Sequence, residues 1–220
     1  MTPSTPSADR SLLSRGDGTR HTTGRLFIIS APSGAGKSTL CRAVRQRLPD
    51  LRYSVSHTTR SPRGGEKNGV DYYFITETAF RKGINTDMWA EWAIVHGNYY
   101  GTSAEFIDRT LGKGCDVLLD IDVQGMEQIL KRYPDSVTIF IMPPSLAVLQ
   151  HRLQLRGTDS AASISERLDN AAAEIKRRQH YRHIVVNDRL EEAVEELTAI
   201  IAAGRTGRFS AAGVNRDRSK

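Results

Sequence analysis

Residues 26–45 read LFIISAPSGAGKSTLCRAVR, and this order of residue types decides the fold. The apolar run Leu26 to Ile29 has the character of a buried strand. A Gly-containing turn follows, and Lys37-Ser38-Thr39 open an amphipathic helix. Strand, Gly-rich turn and helix start are the parts of a phosphate-binding loop. Backbone N–H groups from Gly34 to Lys37 can converge on phosphate oxygens, and the helix start adds partial positive charge. In this reading Lys37 sits on the β/γ-phosphates of a nucleoside triphosphate and Ser38 offers its hydroxyl to Mg²⁺. Ser33, Gly34, Ala35, Gly36 and Thr39 complete the cradle. The strict pattern G-x-x-x-x-G-K-[ST] asks for glycine at 31. This chain has Ala31, which fits provided that residue keeps φ below zero.

At 220 residues the chain can form one α/β domain with subdomain insertions and bury an adequate core. No run approaches the roughly 18 apolar residues of a membrane helix. Residues 1–24 are rich in Ser, Thr, Pro, Gly and Arg and lack the apolar stretch of a secretory signal, so they read as a disordered tail. Cys41 and Cys115 have neither metal-ligand nor redox-motif spacing and read as reduced core thiols of a cytoplasmic protein, one in a helix and one in a strand. The net charge of +6 is uneven: residues 204–220 carry +4, residues 1–24 carry +1, and the remainder +1. The basic excess therefore describes mainly the C-terminal end, which reads as a second solvated tail, and no specific nucleic-acid or membrane partner is expected.

Apolar β-rich runs alternate with helical patterns, which predicts a mostly parallel sheet with helices on both faces. Strands are expected at Leu26–Ser30, Val117–Ile121, Val137–Met142 and Ile184–Val186, their near-continuous apolar character suiting burial on both faces. Helices are expected at 38–48, 123–133, 145–156, 163–180 and 190–203. Pro143-Pro144-Ser145 opens the third, and a Ser163/Glu166 capping box opens the fourth. Residues 53–112 are polar, Gly-rich and aromatic, too long for a crossover, and read as an inserted β-rich subdomain. Residues 157–163, GTDSAAS, form a small-residue hinge between Arg-bearing helices, as a closing lid would need.

Three further stretches, SVSHTTRSPRGGEKNGVDY at 54–72, AEWAIVHGNYYGTS at 90–103 and LLDIDVQG at 118–125, sharpen the reading. Together with the phosphate-binding loop they strongly resemble the guanylate kinases, over about residues 25–203. The resemblance implies a P-loop NTPase-type core (25–52, 113–147 and 180–203), a GMP-binding subdomain (53–112) and a small helical lid (148–179). It also implies phosphoryl transfer from ATP to GMP with Mg²⁺, in purine nucleotide metabolism and GMP recycling.

Physical chemistry fits these implications residue by residue. Arg60 and Arg63 flank Pro62, and their guanidinium forks match phosphate oxygens. Tyr72 and Tyr100 can each donate a phenolic hydrogen bond. By resemblance these four hold the 5′-phosphate of GMP. Guanine offers N1–H and N2–H₂ as adjacent donors and O6 as an acceptor; Glu91 is the matching carboxylate, and Ser56 and Thr102 are the matching hydroxyls. Thr102 has an equally good structural alternative, since Thr102 and Glu105 form a T-x-x-E capping box. Asp120 and Asp122 stand at the carboxyl end of an apolar strand, where a parallel sheet faces its ligand crevice. As a working division Asp120 joins Ser38 at the metal and Asp122 contacts GMP, with helix capping as the alternative for Asp122. Arg152, Arg156 and Arg167 are the lid arginines that, by resemblance, act with Lys37 and Arg60 on the transferring phosphoryl group. Asn187 and Asp188 match the segment near the adenine of ATP, with turn and cap chemistry as their alternative. Two other classes remain open: a non-catalytic peptide-binding module on the same fold, and a small-molecule kinase with another phosphorylated acceptor. The sequence does not give the oligomeric state.

Overall fold

The computed structural model describes residues 23–95, 97–155 and 161–206. At its centre β1 (Leu26–Ser30) lies in a five-stranded parallel sheet. On one side come β7 (Val117–Asp120) and then β2 (Arg52–Tyr53). On the other come β8 (Val137–Met142) and β9 (His183–Val186). The register pairs Ile28 with Leu119 and with Thr138, so the carboxyl ends of the strands form one edge. Burial on both faces explains the near-continuous apolar character of β1 and β8. Side chains still alternate between faces. Phe27 and Ile29 pack with α1 (Lys37–Arg47) and α7 (Leu190–Arg205); Leu26 and Ile28 pack with α3 (Ala104–Gly112) and α4 (Val123–Arg132).

The α/β reading and the parallel core hold, with local differences. The ladder with β1 ends at Asp120, so Ile121 lies past the strand. Cys41 is a buried thiol of α1 as expected, and burial pushes its pKa far up. Cys115 is only half-buried and precedes β7, because the chain is still turning out of α3 there. Arg205 belongs to α7 and bridges Asp50 and Asp116 at 3.0 and 2.7 Å. It is therefore a structural charge and not part of a solvated tail.

A second sheet lies between residues 57 and 103. β3 (His57–Thr58), β4 (Tyr73–Phe74), β5 (Trp89–Val95) and β6 (Asn98–Ser103) line up in the order β4-β3-β6-β5. The 53–112 stretch is not all β. It also holds α2 (Glu77–Asn85), whose start is capped by Thr76 Oγ1 accepting from Ala79 N at 3.2 Å. Phe80 of α2 stacks on Trp89 with ring centroids 4.5 Å apart and also meets Tyr99, giving this sheet its own small core.

α5 (Leu146–Leu155) begins where Ser145 Oγ accepts from Val148 N at 3.1 Å, as the Pro-Pro-Ser entry predicts. α6 spans Ala161–Lys176, and the last four residues of the expected helix, Arg177–His180, tighten into a 3₁₀ turn. Ser163 therefore sits inside α6 and cannot be its N-cap. Leu149 and Leu153 of α5 pack on Ala171 of α6. Residues 157–160 of the expected hinge, and both expected tails apart from Thr23, Gly24 and residues 204–206, lie outside the described residues. No helix among the described residues is long and apolar enough to cross a membrane.

Phe140 is fully buried at the centre of the sheet and packs against the ring of Tyr181. Phe140→Ala is expected to lower unfolding free energy by about 3–5 kcal/mol in urea titrations; a loss below 1 kcal/mol would mean the sheet does not bury this ring.

Candidate active site

Between β1 and α1 the chain turns through Gly34 and Gly36, at φ 93° and 91°. Residues with a Cβ resist that region, so these two glycines are required by the turn. Ala31 is not among the residues with positive φ, which removes the objection to alanine there. Not all of the expected N–H cradle is free: Ala35 N donates to Pro32 O at 3.0 Å, closing the turn. That leaves the N–H groups of Gly34, Gly36 and Lys37 as the donors of the expected cradle. Ser33, Ser38 and Thr39 are exposed around them.

Lys37 reaches across from α1 and pairs through Nζ with Asp120 Oδ1 at the end of β7. Burial works against its charge, but the carboxylate outweighs it and holds the ammonium above its ordinary pKa. Asp122 follows one residue after Ile121, and its Oδ1 accepts from Gly125 N at 2.7 Å, making it the N-cap of α4. The capping alternative is therefore realised; Oδ2 leaves room for a second role.

The Arg60 guanidinium is fully engaged. Its Nη1 and Nη2 donate to the two carboxylate oxygens of Glu66 at 2.9 and 2.8 Å, its Nε donates to the Tyr100 hydroxyl at 3.2 Å, and Nη1 also reaches Ser61 O. Glu66 in turn accepts from Arg63 N at 2.7 Å, and these donors depress its pKa. The Tyr72 ring lies 5.4 Å from the Arg60 guanidinium and edge-on to Tyr100. Burial raises the Tyr72 pKa, and the charges of Asp120 and Lys37 also act on its hydroxyl. Tyr72 is thus within electrostatic reach of both the Arg60 cluster and the Lys37–Asp120 pair. The Arg63 side chain is exposed.

Glu91, only 6% exposed, lies on β5 opposite Thr102 of β6. The Thr102 hydroxyl donates to Glu91 Oε1 at 2.5 Å. Ser103, and not Thr102, caps α3, accepting from Phe106 N at 3.3 Å, so the competing role expected for Thr102 falls to its neighbour. The Thr102 proton is then spent on Glu91, while Ser56, the other expected hydroxyl, is half-buried just before β3. A Cβ on Gly125 would come within 2.6 Å of Glu91 Oε2, so α4 approaches this carboxylate only because residue 125 is glycine. Glu66 and Gly125 are the partners that sequence reasoning missed; a glycine inside a helical pattern was the available signal for the second.

Among the lid arginines, Arg152 Nη2 donates to Asn187 O at 2.9 Å and Arg167 is half-buried on α6; Arg156 lies outside the described residues. Glu174 of α6 is half-buried, its pKa raised by burial and by the charge of Asp122. Asn187 is buried with its side chain on the loop after β1, and Asp188 is exposed.

Burial, reinforced by Asp122 and opposed by the Thr102 hydroxyl, pushes the Glu91 carboxyl from 4.5 up to about 7. Below pH 4.5 both folded and unfolded chains hold this proton. Between 4.5 and 7 the unfolded chain releases it first, so Glu91 costs stability as pH rises, on the order of 3 kcal/mol by pH 8. Urea unfolding of wild type and Glu91→Gln across this range is expected to diverge, with wild type losing ground up to pH 7 and the gap then constant. Parallel curves would mean that the carboxylate is solvated.

The guanylate kinase family model matches residues 23–204 of the chain. The guanylate kinase of Geobacter metallireducens is 50% identical over 186 residues, covering 84% of this chain and 92% of its own. That of Shewanella violacea is 50% identical over 183 residues, covering 83% and 88%. Among solved structures, guanylate kinase from Anaplasma phagocytophilum superposes with a TM-score of 0.70 at 33% identity, covering 84% of this chain and 87% of that one. The glycine turn, the Lys37–Asp120 pair and the buried Glu91 thus lie in a matched stretch that includes every described strand, and the chain is a kinase that belongs to the guanylate kinase family.

Proposed function

We propose that the chain transfers the γ-phosphoryl group of ATP to GMP, giving ADP and GDP, with Mg²⁺, as a step of purine nucleotide metabolism and GMP recycling in the cytoplasm. The observation that carries the acceptor assignment is the buried Glu91 carboxylate held by Thr102. Its acceptors suit the adjacent N1–H and N2–H₂ donors of guanine, and Ser56 is left to meet O6. Adenine has no N1–H, so it leaves a buried carboxylate unpaired. Sites of this hydrogen-bonding type reject the wrong partner by up to roughly 10⁴–10⁵.

Around that base site the remaining roles follow. Arg60, Arg63, Tyr72 and Tyr100 hold the 5′-phosphate, which requires Arg60 to exchange its Glu66 oxygens for phosphate oxygens. Asp122 keeps one oxygen on the α4 cap and directs the other towards the nucleotide. The loop from Ser33 to Thr39 holds the triphosphate, and Lys37 leaves Asp120 for the β/γ-phosphates. Ser38 and Asp120 are oxygen donors of the type Mg²⁺ takes. With the nucleotide phosphates, these two would hold the ion. When bound, the ion neutralises charge on the phosphates.

An oxygen of the GMP phosphate forms a bond to the γ-phosphorus as the bond to the β,γ-bridging oxygen breaks, and ADP leaves with that oxygen. The second pKa of a phosphate monoester is about 6, so the acceptor is largely dianionic at pH 7 and no general base is needed. Arg152, held on the Asn187 carbonyl beside the loop, and Arg156 and Arg167, which approach as the lid shuts, add positive charge where it develops and exclude water. Lys37→Ala is expected to abolish transfer while leaving a folded protein by circular dichroism, because it removes charge from the centre of this arrangement; near-normal turnover would discard the loop assignment. Glu91→Gln is expected to raise the KM for GMP by at least about 10²-fold with the KM for ATP nearly unchanged. Coupled ADP release with ATP against GMP, AMP, UMP, CMP and ribose bisphosphate tests the whole reading. Turnover with a different acceptor would discard the guanine site. Silence on every acceptor would favour a binding module.

A further inference from the structure

The turn between β9 and α7 makes an unusual set of contacts through one residue. The Asn187 backbone N–H donates to Met142 O at 2.8 Å, fixing the turn to the end of β8. Its carbonyl accepts Arg152 Nη2 from α5 at 2.9 Å. Its side-chain Nδ2 donates to Ala35 O at 2.8 Å, inside the phosphate-binding loop. Asn187 is 6% exposed, and a Cβ on Gly36 would lie 2.3 Å from that Nδ2.

The direction of the Ala35 carbonyl matters for chemistry. In a trans peptide the C=O of one residue and the N–H of the next point in opposite directions. Holding the Ala35 carbonyl outward on Asn187 therefore aims the Gly36 N–H inward, where a phosphate oxygen would sit. Gly36 has the φ freedom that makes rotation of this peptide cheap, and Gly34, on the other side of Ala35, has the same freedom. Asn187 removes that freedom from the Ala35–Gly36 peptide, whose N–H is one of the three donors.

We propose that Asn187 is a positioning residue: it orients the Ala35–Gly36 peptide for the triphosphate, and through its carbonyl it fixes Arg152 at the same place, without reading the base of the donor nucleotide. This inference rests on the triphosphate assignment of the loop. Inorganic tripolyphosphate, which has no base, separates the two roles. In the full-length protein, Asn187→Ala is expected to weaken binding of ATP and of tripolyphosphate by the same factor, roughly three- to ten-fold for one buried hydrogen bond. The ratio of the two affinities stays that of wild type. Asn187→Ser, which keeps a donor at shorter reach, supplies the same ratio if the alanine variant does not fold. Weaker ATP binding with tripolyphosphate unchanged would make Asn187 a base reader and overturn the inference; so would no change for either ligand. A wild-type protein that fails to bind tripolyphosphate would remove the triphosphate site itself, a result recognisable before any variant is made.

Discussion

The chain must reverse between β1 and α1 with its N–H groups turned inward, and most of the architecture answers to that constraint. A turn of this type has no side chains of its own to hold it, because glycine supplies the two positive φ values. It is held from behind. Leu149 and Leu153 of α5 press on Gly34 so closely that a Cβ there would come within 2.9 Å of both, and Asn187 fills the space beside Gly36. The helix that carries Arg152 and the turn that follows β9 are thus part of the same wall. Because the sheet is parallel, the ends of β1, β7, β8 and β9 open on one edge, and that edge collects Lys37, Asp120, Asp122 and Asn187.

Charge is distributed along the cleft in a consistent order. Around Lys37 and Arg60 each cation has a carboxylate: Lys37 has Asp120 and Arg60 has Glu66. Pairing spares the fold the cost of a half-buried unpaired cation. In the proposed reaction, phosphate binding there would exchange one anion for another. Around Glu91 the order is reversed. Glu91 is a buried acid whose Oε1 takes the Thr102 hydroxyl, and burial, with the charge of Asp122, holds its pKa high.

The parallel core was legible in the sequence because its signals are local. Leu26–Ser30 and Val137–Met142 are long apolar runs, and the Gly-x-Gly-Lys turn has few other uses. Ser145 caps α5 where Pro-Pro-Ser said it would. Signals that depend on which residues meet in space were weaker. Thr102 and Ser103 are adjacent hydroxyls, both able to cap α3, and only the pairing of β5 with β6 turns Thr102 to Glu91. Glu66 is one acid in a charged loop until the Arg60 fork closes on it. α2 was hidden because Glu77–Asn85 has few apolar residues, Ala79, Phe80 and Ile84, and sits in a stretch whose composition is that of loops. Asn187 reads in sequence either as a neighbour of the adenine of ATP or as turn chemistry, and its contact with Ala35 joins residues 152 positions apart.

One feature of the smaller sheet gives it an optical identity of its own. The chain has two tryptophans, Trp89 and Trp92, and both lie on β5. Trp89 is buried against Phe80 and its indole N–H donates to Phe80 O at 3.1 Å, while Trp92 is on the exposed side. Glu91 lies between them in sequence, and no tryptophan stands in the parallel core. Indole emission is therefore a local reporter. It registers the environment of the strand that carries Glu91, including the seam where the Trp92 backbone meets Gln128 of α4.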